Sequence, residues 1–232
     1  MMKEQVKKFW LDRATVTNVV SLESQVNFQS DAKTAALYIE AETEVINREL
    51  ILNQNYTLID LGAGNGRWSL FLAPKVEKVV AVEFITEFTN KINELAVEKG
   101  ITNIEIVNLS SEEFVRENFA DVLFVSGLFN YLDNEQYLKT IRNIKKSIKK
   151  EGILFMRETI SILENEFIVN KFSEELGTHY YSIYRTANQH INTLNEEGFA
   201  LKKYGPFFED NSILNKRVET RLHYFVFKKI KT

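Results

Sequence analysis

The chain contains no cysteine. That removes thiol nucleophiles, thiolate metal ligands, iron–sulfur clusters and disulfide staples from consideration. Only two prolines occur, Pro74 and Pro206, and no Pro-rich linker, repeat or low-complexity tract divides the sequence, so one cooperative unit is expected. The three histidines, His179, His190 and His223, are scattered, without an H-x-x-x-H spacing or an acidic cluster beside them. No metal site is expected from them. A G-x-S-x-G elbow is also missing, which leaves serine hydrolase chemistry without support.

Long apolar runs are absent too. The N-terminal MMKEQVKKFW mixes charge with apolar residues, and no segment approaches the length of a membrane span, so the chain reads as cytoplasmic with no membrane partner. Positive charge is not in excess: 29 Lys and Arg face 32 Asp and Glu, a net charge of -3, so no general field exists to grip polyanions. No nucleic-acid partner is expected. Oligomeric state, monomer or homodimer, is left open by composition.

What is present is an ordinary folding composition, 44% hydrophobic and 26% charged over 232 residues, enough to bury a sizeable core without staples. Residues 1–54 read as a helical N-terminal cap, with Asp31 to Leu50 rich in helix formers at helical spacing. The rhythm then changes. Tyr56–Leu61, Lys78–Glu83, Ile104–Asn108, Asp121–Ser126 and Gly152–Met156 are short β-rich apolar runs, separated by amphipathic stretches at Trp68–Pro74, Thr86–Lys99 and Asn134–Lys149. Leu138, Ile141, Ile144 and Ile148 form the apolar stripe of the last of these. The alternation predicts an α/β fold, a doubly wound and mostly parallel sheet with its site at the carboxyl ends of the strands.

Beyond Glu158 the alternation loosens. Ile160–Tyr184 reads as a helical, aromatic lid inserted after the fifth strand. Thr186 is expected to cap a helix that ends at Gly198. Phe199–Tyr204 and Arg221–Lys228 are expected to form a closing hairpin that turns at Gly205 and Pro206. The resulting division is a single domain, 1–232: a cap over 1–54, a core over 55–159, a lid over 160–185, and a C-terminal helix with its hairpin over 186–232.

The first strand runs directly into Asp60, Leu61, Gly62, Ala63, Gly64, Asn65, Gly66 and Arg67, followed by a helix. Alternate glycines let the backbone turn sharply and approach a ligand, and the helix start presents free N–H groups. The next strand ends at Glu83, where a carboxylate can accept from both hydroxyls of a ribose. The loop is G-x-G-x-G rather than the dinucleotide G-x-G-x-x-G, and Asp60 beside it would repel a pyrophosphate. A cationic amino-acid portion suits that carboxylate, which favours S-adenosylmethionine over a nicotinamide dinucleotide.

These residues carry a family resemblance. LIDLGAGNGRWSL resembles motif I of the class I S-adenosylmethionine-dependent methyltransferases, and VVAVEF resembles their second motif. IEIVNLSSEEF is similar to the third, and DVLFVSGLFNYLDN with KKEGILFMRE to the fourth and fifth, in order across residues 56–160. YRTANQHINTLNEEGF resembles the end of small-molecule members. The resemblance implies a Rossmann-like methyltransferase fold with S-adenosylmethionine as cofactor, S-adenosylhomocysteine as product, and no metal. Gly62, Ala63, Gly64 and Gly66 would cradle the methionine portion beside Asp60, Glu83 would take the ribose, and Phe84 would lie on the adenine. Ser110 and Ser111 stand where the family commonly has an Asp for the adenine amino group, a departure toward a neutral acceptor. Ser126, Gly127 and Leu128 would pass beside the sulfonium.

The acceptor side rests on less. Tyr131, after the fourth strand, is a candidate to orient an amine or carry a proton, and His179 is the second catalytic candidate. Asn130, Arg157, Tyr181, Tyr184 and Arg185 are candidate acceptor contacts, with aromatics around a cationic amine and an arginine on a phosphate or carboxylate. Packing of the lid on the core accounts equally for its tyrosines, and a mutual salt bridge accounts for Arg157 beside Glu158. A small-molecule acceptor, namely a sugar, nucleotide-sugar or phosphorylated amine methylated on N or O, is the expectation. A protein or nucleic-acid methyltransferase and a non-catalytic cofactor-binding module are the alternatives.

Overall fold

Each of the first strands is a run of apolar residues closed off by glycine or a helix cap, and such runs are stable only when covered on both faces. The computed structural model describes residues 2–15, 32–173 and 178–230. Within them, helices α1 (Met2–Ala14) and α2 (Ala32–Glu49) precede strand β1 (Thr57–Leu61). The alternation follows: α3 (Arg67–Leu72), β2 (Lys78–Val82), α4 (Thr86–Glu98), β3 (Ile104–Val107), β4 (Ala120–Ser126), α5 (Asn134–Ser147) and β5 (Ile148–Ser161). The chain ends with β6 (Phe167–Ser173), β7 (Thr178–Tyr184), α6 (Ala187–Glu196), β8 (Phe199–Pro206) and β9 (Thr220–Lys229). The parts of the expected cap at 16–31, Asp31 included, and of the expected lid at 174–177 lie outside the described residues.

Seven strands make the main sheet in the order β3-β2-β1-β4-β5-β9-β8, all running in one direction except β9, which pairs antiparallel with β5 and with β8. This is the doubly wound, mostly parallel arrangement that the strand and helix alternation predicts. The strand order reverses between β1 and β4, so the crevice at their carboxyl ends is the natural place for a ligand. Two cores lie on opposite faces. One joins Leu58, Phe124 and Phe155 of the sheet to Tyr38, Ile46, Trp68 and Leu72; the other joins Ile59, Leu123 and Met156 to Tyr137, Ile141, Ile144 and Leu194. Asp133 caps α5 reciprocally with Gln136, and Thr186 caps α6 reciprocally with Gln189, both reciprocal pairs of the kind that satisfies two orphan N–H groups at a helix start.

Several expectations need correction. The segment Ile160–Tyr184 is not helical: β5 continues to Ser161, and β6 and β7 pair as an antiparallel hairpin from Phe167↔Tyr184 onward. Its Tyr, Phe, Ile and Val content favours a pleated surface, and the alternate residues Tyr180, Ser182 and Tyr184 are buried on one face. The helix expected to reach Lys149 stops at Ser147, because Ile148 already pairs with Ala120 at the start of β5. Gly205 and Pro206 are not a turn either; they pair with Tyr224 and His223 as the last residues of β8. Among the described residues no helix is long and apolar enough to cross a membrane.

Candidate active site

β1 delivers Asp60 and the glycine loop to the crevice, and β4 delivers Ser126 and Gly127 next to it. Gly62 has φ +78°, and a Cβ there would come within 3.2 Å of the Leu128 side chain, so the two loops touch only because Gly62 has none. Gly66, at φ +82°, sits behind the loop: a Cβ would meet Ile92 of α4 at 2.7 Å. It lets helix and strand approach, and it is not itself part of the cavity wall.

Glu83 is the hinge of the glycine-loop side. Its Oε2 accepts from the Gly64 N–H at 2.8 Å, and its Oε1 accepts from the Ile85 N–H at 2.8 Å. One carboxylate therefore ties the glycine loop to the end of β2 while still lining the cavity. Burial raises it to about 7. Asp60 is likewise buried and raised to about 6 by burial, while it accepts a 2.6 Å bond from the Ser69 hydroxyl. Two desolvated acids at one wall favour a cationic ligand, whose charge would restore what burial takes from them.

The cavity also includes Ala63, Phe84, Ser110 and Ser111. Ser110 donates to Glu113 at 2.5 Å and Ser111 pairs with Thr140 at 3.2 Å. The charged residue of that loop which lines the cavity is Glu112, a residue sequence reasoning passed over, and it is paired with Lys3 of α1 at 2.6 Å. Lys3, Val6 and Trp10 close α1 over the opening, and Trp10 meets the edges of Phe88 and Tyr131.

At the far end stand Asn130, Tyr131, Tyr180 and Tyr184. The Tyr180 and Tyr184 hydroxyls are 2.9 Å apart, with the Tyr131 hydroxyl 3.5 Å from Tyr180. Burial holds the Tyr131 phenol well above its ordinary range, so it is a proton donor at neutral pH. The Asn130 Oδ1 is buried and has no hydrogen-bond partner.

Three expected acceptor-side residues are not brought to this cavity. His179 and Tyr181 lie on the other face of β7 from Tyr180, because successive strand residues point to opposite sides, and His179 is exposed. Arg185 is buried but spends its guanidinium on the carbonyls of Phe129 and Leu132 and on Asn134, fixing the turn that carries Tyr131. Arg157 does line the cavity. It does not pair with Glu158: Arg157 bonds Glu42 of α2, whereas the Glu158 carboxylate, on the opposite face of β5, accepts from the Leu128 and Phe129 N–H groups at 2.9 and 3.1 Å. His190 is a core residue, its Nδ1 2.8 Å from the Tyr137 hydroxyl. Among the described residues no group of three or more His, Cys, Asp or Glu could hold a metal ion.

A Rossmann-like sheet with a glycine loop at its reversal point and an acid at the end of the second strand defines the class I methyltransferase fold. Within that fold, residues 58–152 carry the family match itself, to the model described as a methyltransferase domain. The chain is 28% identical over 148 residues to phosphoethanolamine N-methyltransferase 1 of Caenorhabditis elegans, covering 62% of this chain and 30% of that protein. It is 26% identical over 199 residues to phosphoethanolamine N-methyltransferase 1 of Zea mays, covering 84% of this chain and 38% of that protein. The chain thus spans well under half the length of these relatives. The solved structure of Haemonchus contortus phosphoethanolamine N-methyltransferase 1, with phosphoethanolamine and S-adenosylhomocysteine, superposes with a TM-score of 0.76 at 16% identity, over 100% of this chain and 49% of that one.

Proposed function

We propose that the protein is an S-adenosylmethionine-dependent methyltransferase that methylates a nitrogen of a small polar metabolite. The observation that carries this reading is the two-ended cavity: buried Asp60 and Glu83 at the glycine loop, and a polar aromatic wall at Asn130, Tyr131, Tyr180 and Tyr184. In this reading residues 55–159 hold the cofactor, Tyr180 and Tyr184 of β7 face the acceptor, and α1 caps the site. The residues fit the cofactor in a way that the loop itself tests, since Gly62 leaves no side chain between the glycine loop and Leu128.

S-adenosylmethionine, when bound, supplies a methyl group already activated on a sulfonium, so the protein's work is alignment and exclusion of water. Trp10 and Val6 of α1 exclude water from above. Asn130 Oδ1 accepts an N–H of the acceptor, and the Tyr131 hydroxyl donates to a neighbouring oxygen of it, which leaves the nitrogen lone pair free for the methyl group. A phenol held protonated is a poor base, so a hydroxyl acceptor would lack the partner it needs, whereas an amine desolvated against the aromatic wall sheds its proton more readily and brings its own lone pair. The relatives named for N-methylation of phosphoethanolamine support the same class.

The test is calorimetric titration with S-adenosylmethionine, S-adenosylhomocysteine and NADH, followed by mass-spectrometric screening of amines, phosphoethanolamine among them, against sugars and nucleotide-sugars. Binding of the first two ligands alone and a mass gain of one methyl on an amine is the expected result. Methylation confined to sugar hydroxyls would overturn the choice of nitrogen, and binding of NADH alone would overturn the activity.

A further inference from the structure

Between β4 and α5 the chain makes one short helical turn, Phe129–Tyr131, and the segment 128–132 supplies Leu128, Asn130, Tyr131 and Leu132 to the cavity wall. At its start the Leu128 side chain abuts Gly62 of the glycine loop; further on it carries Asn130 and Tyr131 to the far end of the cavity. How this turn is held therefore sets one end of the cavity against the other.

A single helical turn has little hydrogen bonding of its own. Its internal bonds run from the Tyr131 N–H to the Leu128 carbonyl at 3.0 Å and from the Leu132 N–H to the Phe129 carbonyl at 3.3 Å. Side chains from distant segments take most of the other groups. Glu158 Oε1 of β5 accepts from the Leu128 and Phe129 N–H groups at 2.9 and 3.1 Å. Arg185, directly after β7, donates to the Phe129 and Leu132 carbonyls at 2.9 and 3.0 Å, and the Ser182 hydroxyl donates to the Asn130 carbonyl at 3.4 Å. The acid stands at the N–H end of the turn and the arginine at its carbonyl end, the polarity that a helical turn calls for. Phe129, fully buried against Tyr137, pins the middle.

Neither Glu158 nor Arg185 lines the cavity. Glu158 is fully buried, and its Oε2 has no hydrogen-bond partner, so the second oxygen brings the fold no bond in return for its desolvation. What the residue supplies is a fixed turn.

We propose that Glu158 and Arg185 are positioning residues for methyl transfer: gripping the turn at its two ends, they set Asn130 and the Tyr131 hydroxyl against the glycine loop. The kinetic consequence rests on the proposed function; the geometric one does not.

Glu158→Gln keeps an acceptor for the two N–H groups, and Glu158→Leu removes it. Both are compared with wild type, alone and combined with Tyr131→Phe, in the methylation of phosphoethanolamine by S-adenosylmethionine. Glu158→Gln should retain kcat within about threefold, whereas Glu158→Leu should lower it about tenfold or more with S-adenosylhomocysteine affinity within about threefold of wild type, because Glu83 holds the glycine loop separately. In the Tyr131→Phe background Glu158→Leu should cost much less, since the hydroxyl it displaces is already gone. Equal losses in the two Glu158 variants, the same loss in both backgrounds, or an unchanged kcat in Glu158→Leu overturns the positioning role. Should the wild type not methylate phosphoethanolamine, that failure belongs to the proposed acceptor, and the turn is read from Trp10, whose ring lies 5.0 Å from that of Tyr131. Acrylamide quenching of Trp10, taken as the difference from Trp10→Phe counterparts, should rise in Glu158→Leu and not in Glu158→Gln; unchanged quenching in Glu158→Leu overturns the proposal. If melting shows that Glu158→Leu does not fold, Arg185→Met takes its place in each comparison, with Arg185→Lys as the conservative variant.

Discussion

At the scale of single residues, the site is governed by carboxyl groups held out of water. Burial raises Asp60 to about 6, Glu83 to about 7 and Glu158 to about 7, above the ordinary carboxylate range. A carboxyl whose folded value lies above its unfolded one binds its proton more tightly in the native state. Its contribution to stability is therefore full below about pH 4 and is lost as pH rises through 6 to 7. Thermal melts of the unliganded protein should show a falling midpoint between pH 5 and pH 8. Glu158→Gln should flatten that fall, by about 3 kcal/mol at most, because an amide can still accept from Leu128 and Phe129 without carrying charge. A fall that Glu158→Gln leaves unchanged would refute the assignment of Glu158. Two substitutions separate the candidates of the acceptor side. Tyr131→Phe should lower kcat at least tenfold while changing S-adenosylhomocysteine affinity less than twofold. His179→Ala should leave both unchanged, since His179 is exposed on the outer face of β7. Glu83→Ala is a poor probe of ribose binding, as it also strands the Gly64 and Ile85 N–H groups; Glu83→Gln, which can retain one of those bonds, should reduce S-adenosylhomocysteine affinity about tenfold with the fold intact.

At the scale of elements, what could be read in the sequence was what local patterns encode. Glycines at 62, 64 and 66, an acid at the end of β2, and apolar runs of strand length each declare themselves within a few residues, and so does the cap Thr186. The lid was misread because Ile160–Tyr184 is short of both glycine and strict alternation, yet FIVNKF and HYYSIY are assembled from residues that favour strands. The Arg67–Glu42–Arg157 cluster was missed for a different reason: its members come from α2, α3 and β5, with Glu42 and Arg157 separated by 115 positions. One signal was available, an acid at position 42 on the helical stripe with Tyr38, Val45 and Ile46, where the period calls for an apolar side chain. Gly66→Ala tests the packing of elements rather than ligand contact. It forces a Cβ onto Ile92 and strains a positive φ, so destabilisation of about 1–3 kcal/mol is expected in chemical denaturation, and an unchanged midpoint would mean that α3 and α4 yield freely.

At the scale of the whole molecule, charge and topology act together. With a net charge of -3, the protein has little long-range attraction for polyanions, and its positive groups near the cavity are already engaged, Lys3 by Glu112 and the two arginines by Glu42. Fluorescence anisotropy with a labelled RNA oligonucleotide at physiological salt should show no saturable binding; salt-sensitive saturation would favour a nucleic-acid acceptor instead. The parallel sheet puts the cavity-lining loops of β1, β2 and β4 on one edge, while the antiparallel β9, and β8 beyond it, extend the sheet past β5. β5 is therefore a central support, paired with β4 on one side and β9 on the other.

That position gives the pair Arg157 and Glu158 an unusual sensitivity to chain length. Adjacent on one strand, they serve opposite faces: the cation anchors α2, and the acid anchors the loop that carries Leu128 through Tyr131. Inserting a single residue upstream in β5 would set the Arg157 guanidinium against two N–H donors and Met156 against Glu42, and deleting one would set the Glu158 carboxylate against Glu42. Either event removes both anchors and makes one of the contacts repulsive, whereas an insertion in the 207–219 connection between β8 and β9 leaves them untouched. The strand therefore tolerates a change of side chain better than a change of length.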